Sequence, residues 1–418
     1  MSTLESSDLQ NSTGENSASQ SDQPDVRIVL WPFCGELRLD ELILSRENFI
    51  QSIEDFYKHK NITPLSQLTS TTPFPTPHLL AQFAYKTYTD YETGEADAQY
   101  EARLALPDGW KLLTTASISS KTNGYFGAAY WHPQYQQVVI SHRGTKRTNF
   151  AALWAEEFGM MFQNYVPQMS FACIFAHKVV EVLQNFYRIK GVSFQLFFTG
   201  HSLGGSLAQI TNFTTKYLDI KGNTFLKSSN VSRWFHPHTV SFDSPGCKDV
   251  LSKMADQLDV MYDGRSIDIE HLDITSYLCA PNRINTCSKH VGTVYRIFTD
   301  LSDIRWQKQS TKLCRIDTHS MDRIVQAFDP ETGQVNKDEQ GQLKIQVVVD
   351  WPVNARLSRG KKYKKFSKWA KQFNNYHPEI RDETFKLKDY YPMRYQTKTY
   401  DERVTSLSKF SHDERQFF

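Results

Sequence analysis

The stretch Phe194-Gln-Leu-Phe-Phe-Thr-Gly-His-Ser-Leu-Gly-Gly205 decides how the rest of the chain is read. Val192 to Phe198 is apolar and aromatic apart from Ser193 and Gln195, and Gly191 and Gly200 bound it, as expected of a strand buried on both faces. A G-x-S-x-G follows, Gly200-His201-Ser202-Leu203-Gly204. A turn that lifts a serine from a strand end onto a helix start strains that serine's backbone, so the positions two before and two after it must carry no bulky side chain. Gly200 and Gly204 meet that demand. Beyond them Leu203, Leu207, Ile210 and Phe213 recur at helical spacing, while Gly205, Ser206 and Ala208 allow the helix to lie close to a sheet. Ser202 is thereby predicted at a helix N-terminus, where unpaired amides favour negative charge. G-x-S-x-G alone is common; the strand before it and the small-residue helix after it make Ser202 a candidate nucleophile.

Hydrophobic residues make up 39% of the 418 and aromatic residues 13%, enough for a sizeable core. No apolar run approaches the roughly 18 residues of a membrane span. Met1 to Asp25 lacks the apolar centre of a signal peptide, so a cytoplasmic protein is expected. Cys34, Cys173, Cys247, Cys279, Cys287 and Cys314 show no paired spacing and read as thiols in a reducing compartment, which makes the glycosylation sequons incidental. The formal charge of +2 conceals an asymmetry: residues 1–26 hold five acidic and no basic residues, and residues 356–418 hold sixteen basic against eight acidic. The body is near neutral. Residues 1–26 are too polar to bury anything and are predicted to be disordered.

Along the body, Val26 to Cys34 reads as a strand, Leu39 to Tyr57 as helical, and His78 to Tyr88 as a helix after a Pro/Thr-rich connection at 71–77. Tyr125 to Trp131 and Gln137 to Ser141 read as a hairpin or sheet edge, the second strand ending in the glycine turn Arg143-Gly144-Thr145. Helical spacing returns from Phe150 to Tyr187, with a break at Pro167. Strands at 192–198 and 239–242 enclose the helix at 203–218, and Val291 to Phe298 is the last strand the pattern reveals. Strands alternating with helices imply an α/β fold, a mostly parallel sheet flanked by helices.

A serine hydroxyl is a weak nucleophile and needs a base held by a third group, in the chain order Ser, acid, His on this topology. His319, in Arg315-Ile-Asp-Thr-His-Ser-Met-Asp322, comes late and directly before a helix predicted over 321–328 and capped by Ser320 or Asp322, so it is the candidate base; the alternative is a surface histidine at a helix start. Asp243, in Val240-Ser-Phe-Asp-Ser-Pro-Gly246, ends the strand after the nucleophile helix and is the candidate acid. An aspartate that merely shapes the turn is its alternative, and Asp263, Asp268 and Asp273 are rivals. The oxyanion donors are assigned to the amides of Leu203 and Thr145. His236 and His238 flank a proline without further ligands, so neither a metal nor any cofactor is expected.

Together these motifs resemble the class 3, fungal-type lipase family of the α/β hydrolases. The resemblance lies in Val139-Ile-Ser-His-Arg-Gly-Thr145, Thr199-Gly-His-Ser-Leu-Gly-Gly205, Phe242-Asp-Ser-Pro-Gly246 and the late His319, and it spans about residues 80–330 of a domain placed at 27–355. It implies the α/β-hydrolase fold and a serine, aspartate and histidine that hydrolyse acylglycerols or phospholipids. Two departures stand out: Asp243 occupies a position usually held by glycine, and Asn282 stands where the family's aspartate is expected. The acid is therefore expected one strand earlier; otherwise Asn282 must orient His319. A catalytically inactive lipid-binding or interaction module is the alternative function.

Phe150, Leu153, Trp154, Phe158, Met160, Met161 and Phe162 read either as a lid above the serine or as a helix packed on the sheet. Arg356 to Lys371 carries eight basic and no acidic residues, interleaved with Tyr363, Phe366 and Trp369. It reads as a surface for anionic membranes or lipid droplets, or as a solvated basic helix; no nucleic-acid partner is expected.

Overall fold

The computed structural model describes residues 28–31, 35–38, 42–58, 74–89, 97–106, 109–118, 124–145, 167–218, 237–261, 267, 269–279, 284–285, 289–297, 319–337, 341 and 343–347. The stretch 150–162, Asp263, Asp268, Asn282 and the basic segment 356–371 lie outside them.

A small antiparallel ribbon pairs β1 (Ile28–Trp31) with β2 (Gly35–Arg38). The main sheet, among the described residues, has nine strands: β3 (Leu42–Leu44), β4 (Lys111–Ile118), β5 (Phe126–His132), β6 (Gln137–His142), β7 (Gln195–His201), β8 (His238–Phe242), β9 (Ile274–Leu278), β10 (Thr293–Ile297) and β11 (Ile345–Val347). They lie side by side in chain order from β3 to β11. β6 to β10 are mutually parallel, and the antiparallel pairings are confined to the two flanks.

Seven helices accompany the described strands: α1 (Phe49–Tyr57), α2 (Pro77–Lys86), α3 (Asp97–Leu104), α4 (Pro167–Lys190), α5 (Leu203–Tyr217), α6 (Lys248–Met261) and α7 (Met321–Gln326). Three of them, α4, α5 and α6, are crossovers between successive parallel strands. Right-handed crossovers along a sheet that grows in one direction put their helices on one face. The core accordingly divides in two. On one face Phe175, Leu183, Leu207, Phe213 and Leu251 from these crossovers pack with Ile53 of α1 against Ile140, Leu196 and Phe198. On the other, Leu80 and Phe83 of α2 and Ile324 of α7 pack against Val139, Phe197 and Phe242. Phe197 and Phe198 are consecutive, point to opposite faces and are both fully buried, as the apolar run predicts. Burying each contributes about 2 kcal/mol.

Three expectations need correction, and one strand is unforeseen. Leu42–Leu44 is a strand, because pairing with Ile118, Ser117 and Ala116 overrides the helical spacing; the helix starts only at Phe49. β4 carries no strict alternation and escapes the pattern, its middle residues being buried on both sides. The strand β10 is not the last, since β11 pairs with it after the segment carrying His319. Finally, α7 does begin after Ser320, but no side chain caps it: the Ser320 hydroxyl donates to the Asp322 carboxylate instead (3.3 Å).

Candidate active site

The C-terminal end of β7 turns sharply into α5, and the residue at the bend is Ser202, with φ +58° and ψ −129°. Only three described non-glycine residues have a positive φ: Gln136, Ser202 and Asp243. Two of the three are the candidate nucleophile and the candidate acid. Such conformations cost about 1–3 kcal/mol each and persist only where the surroundings enforce them.

The surroundings do so through backbone crowding. A Cβ on Gly200 would lie 2.3 Å from the Gly204 carbonyl oxygen, and one on Gly204 would lie 2.1 Å from the His142 carbonyl oxygen. Neither obstacle is a movable side chain, so the two glycines are required for the end of β6, the bend and the start of α5 to share this space. The neighbouring turn after β6 comes equally near. A Cβ on Gly144 would stand 3.0 Å from the Ser202 Cβ and 2.5 Å from the His201 carbonyl oxygen. Arg143 braces that turn, its guanidinium over the Phe126 ring at 4.9 Å and donating to the Gly124 carbonyl (2.9 Å).

α5 is buried from Leu203 through Thr215, so its polar side chains must be satisfied internally. Three of them bond to β8 and the residues on either side of it. Ser206 donates to the Pro245 carbonyl (3.0 Å), Gln209 to the Ser241 and Ser244 hydroxyls (3.0 and 3.2 Å), and Asn212 to the Pro237 carbonyl and the Thr239 hydroxyl (2.8 and 2.9 Å). The amide of Ser202 itself donates to the Phe242 carbonyl (3.0 Å). This lacing holds the end of β8, and so Asp243, in fixed relation to the bend.

Asp243 is wholly buried, and His319, the Cys279 amide and Asn285 all bond its carboxylate. Oδ2 lies 2.5 Å from Nδ1 of His319, 76 residues further on; Oδ1 accepts from the Cys279 amide (2.9 Å) and from the Asn285 side chain (2.6 Å). An ionised carboxylate in that setting fixes the imidazole with its Nδ1 protonated and its Nε2 available as a base. His319 is 5% exposed and Ser202 4%. The His319 ring lies against that of His201, the residue before the serine, with centroids 4.4 Å apart. His201 is in turn engaged by the Tyr88 hydroxyl at its Nδ1 (2.8 Å).

The structure thus brings Ser202, Asp243, His319, Leu203 and the Gly144–Thr145 turn to one edge of the sheet. As the first residue of α5, Leu203 has an amide with no intrahelical acceptor. Thr145, half-buried, ends the described part of its turn. The hydrogen bonds of Ser202 run through its backbone; among the described residues its hydroxyl makes none, as is common before a substrate arrives. Asp273 is elsewhere, paired with His238 at the opposite end of β8. Burial pushes the Cys279 thiol well above its ordinary value, with the Asp243 charge adding to the effect, so that thiol stays neutral beside the acid. No group of three His, Cys, Asp or Glu side chains among the described residues is arranged for a metal. Sequence reasoning misses Tyr88, the Cys279 amide and Asn285. The amide has no sequence signal at all, and the two side chains lie in segments whose spacing carries no motif.

Residues 112–261, from β4 to α6 and containing both Ser202 and Asp243, match the model of the Mbeg1-like family, a lipase-like family. The mostly parallel sheet with helices on both faces and a serine at the strand-to-helix bend is the arrangement expected of the α/β-hydrolase fold, and the chain resembles the fungal-type lipases. Several solved lipases are similar to this chain at low identity. M37 lipase is 13% identical, with 51% of this chain and 70% of that one covered and a TM-score of 0.36. Lip2 lipase from Yarrowia lipolytica is 14% identical, with 53% and 77% covered and a TM-score of 0.32. A triacylglycerol lipase whose catalytic centre is described as a serine protease triad is 13% identical, with 62% and 84% covered and a TM-score of 0.34. No curated protein matches the sequence. Among the described residues no helix is long and apolar enough to cross a membrane.

Proposed function

We propose that the protein is a serine hydrolase that cleaves carboxylic esters of lipids, acylglycerols or phospholipids, through an acyl-enzyme on Ser202. The observation that carries this is the buried His319–Asp243 pair, closed over 76 residues and packed against the residue next to a strained serine. Ser202 Oγ attacks the ester carbonyl carbon as His319 Nε2 accepts the hydroxyl proton, and Asp243 stabilises the resulting imidazolium. The amides of Leu203 and Thr145 receive the oxyanion, aided by the N-terminus of α5; one such donor contributes about 3 kcal/mol. Collapse of the tetrahedral intermediate expels the alcohol, which takes the proton from His319. Water, deprotonated by the same histidine, then attacks the acyl-enzyme and releases the acid.

The lipid class rests on the match to a lipase-like family. Delivery to an anionic membrane or droplet surface by Arg356 to Lys371 completes the reading, with eight basic side chains and three aromatics suited to a charged interface. A cytoplasmic location accords with Cys173, Cys247 and Cys279, which are buried and form no disulfide.

A fluorophosphonate probe tests the chemistry. It is expected to label the wild-type protein at neutral pH and to leave Ser202→Ala unlabelled. A wild-type protein that resists labelling would favour the inactive, lipid-binding module, the reading to which the unengaged Ser202 hydroxyl lends support. A screen of short- and long-chain glycerol esters and phospholipids then identifies the substrate.

A further inference from the structure

The acid poses a problem that the hydrolase reading leaves open. Asp243 follows β8 in a left-handed conformation (φ +45°), with its amide donating to the Tyr277 carbonyl of β9 (2.7 Å) and its side chain directed into the interior. With only the Cys279 amide on Oδ1, that oxygen would be held from one side, and Oδ2 would be set less firmly towards His319. A second donor on the same oxygen defines the carboxylate plane. Asn285 supplies it: its Nδ2 lies 2.6 Å from Oδ1. The carboxylate can only accept, so the amide nitrogen is the group facing it.

Asn285 is itself fixed. It is fully buried, its Nδ2 also reaches the Cys279 carbonyl (3.3 Å), and its own carbonyl accepts from His290 Nε2 (2.9 Å). It belongs to the segment after β9, three residues beyond Asn282, where the family resemblance leads one to expect the acid. We propose that Asn285 is the positioning residue for the Asp243 acid: from the segment expected to hold the acid it contributes an amide donor, which locks the carboxylate plane so that Oδ2 faces His319. The proposal rests on the hydrolase reading.

The alternative is that Asn285 only ties the chain near Cys279 to that near His290. The pH profile of labelling separates the two. The groups facing the Asp243–His319 pair are His201 against the His319 ring, the Cys279 thiol, His290 and, acting on Cys279 from β10 and α7, Arg296 and Arg323. Burial lowers His290 and raises Cys279, in each case the direction that favours the neutral form. The displacement of the acid limb between Asn285 variants, rather than its position, is what reports on Asp243. A donor on the carboxylate spreads its charge, and removing it makes the pair hold a proton more tightly; replacing it with a second carboxylate does so more strongly.

The experiment measures fluorophosphonate labelling rates of the full chain from pH 5 to 9 for wild type, Asn285→Ala, Asn285→Ser and Asn285→Asp, with Ser202→Ala as blank. Asn285→Ala is expected to slow labelling roughly tenfold or more at pH 7, as for loss of a hydrogen bond to a charge, and to move the acid limb to higher pH. Asn285→Asp, the same shape with a like charge, is expected to move it further, and Asn285→Ser, which keeps a donor, to lie nearest wild type. The limb is read from the shape of the profile, so partial unfolding lowers its amplitude without displacing it. Superimposable limbs in a labelled series, or Asn285→Asp no worse than Asn285→Ala, would overturn the proposal and leave the hydrolase reading intact. An unlabelled wild type would overturn both.

Discussion

β8 carries a histidine–aspartate pair at each of its ends, and the two behave as different objects. At its C-terminal end Asp243 meets His319; at its N-terminal end His238 meets Asp273. The residue types are the same, and both pairs bridge to a segment beyond the strand. The first is sealed, at 5% and 0% side-chain exposure, and lies beside the strained serine at the edge where the crossover loops converge. The second is 18% and 19% exposed, with its histidine stacked on Phe197 (5.3 Å) and against Phe74 (4.9 Å). In a parallel sheet the carboxyl ends of the strands face the loops that carry function, and the amino ends face packing. Position along β8, rather than the chemistry of the pair, separates a candidate catalytic couple from a clasp.

The sharpest way to break that contrast is to remove each acid in turn. Asp243→Ala is expected to lower kcat for ester hydrolysis by roughly 10³–10⁴-fold with the protein still folded, the scale of loss when a catalytic imidazole loses its orienting carboxylate. Asn282→Ala is expected to matter far less; the reverse ranking would move the acid to the segment after β9.

A third class of histidine sharpens the contrast from another side. His142 is buried with a tyrosine and a threonine as partners, Tyr125 at Nδ1 (3.0 Å) and Thr211 at Nε2 (3.2 Å), and burial lowers it to about 3. His177 is likewise lowered to about 3 by burial. For both, the folded value lies below the unfolded value near 6.5, so between those limits the unfolded chain binds protons that the folded chain refuses. Stability is thus complete above about pH 6.5 and falls as the pH drops towards 3, by about 1.4 kcal/mol per pH unit for each histidine. Urea midpoints between pH 7 and 5 measure the slope, and His142→Gln is expected to remove one histidine's share of it.

The smallest effect belongs to the clasp. Asp273→Asn is expected to cost about 1 kcal/mol in urea unfolding, as for a partly exposed charged contact, and to leave kcat unchanged. A loss of activity comparable to that of Asp243→Ala would erase the distinction between the two ends of the strand.

Much of the fold is legible in the chain because its strongest signals are local. The apolar run before Ser202, the two glycines around it and the helical spacing after it each act within a dozen residues, and β7, the bend and α5 stand where they imply. The same holds for the β5–β6 hairpin and for α2, which Thr76 caps through the Leu79 amide (3.2 Å). Leu42–Leu44 was misleading for the opposite reason: a three-residue strand has too few positions to show a period, and its partner β4 lies some 70 residues away. β11 is hidden likewise, since only pairing with β10 makes Ile345–Val347 a strand.

By itself the sequence determined that Ser202 stands on a cramped strand-to-helix bend, because steric demands between near neighbours are written in the residues themselves. It also narrowed the partners, naming His319 and placing Asp243 ahead of its rivals through chain order and strand ends. Only the tertiary structure decided that Asp243 and His319 touch, that Asp273 serves His238 instead, and that the Cys279 amide and Asn285 hold the acid. Those contacts span 35 to 76 residues. They exist because strand order and right-handed crossovers bring distant chain segments to one sheet edge, a consequence of packing that no local pattern encodes.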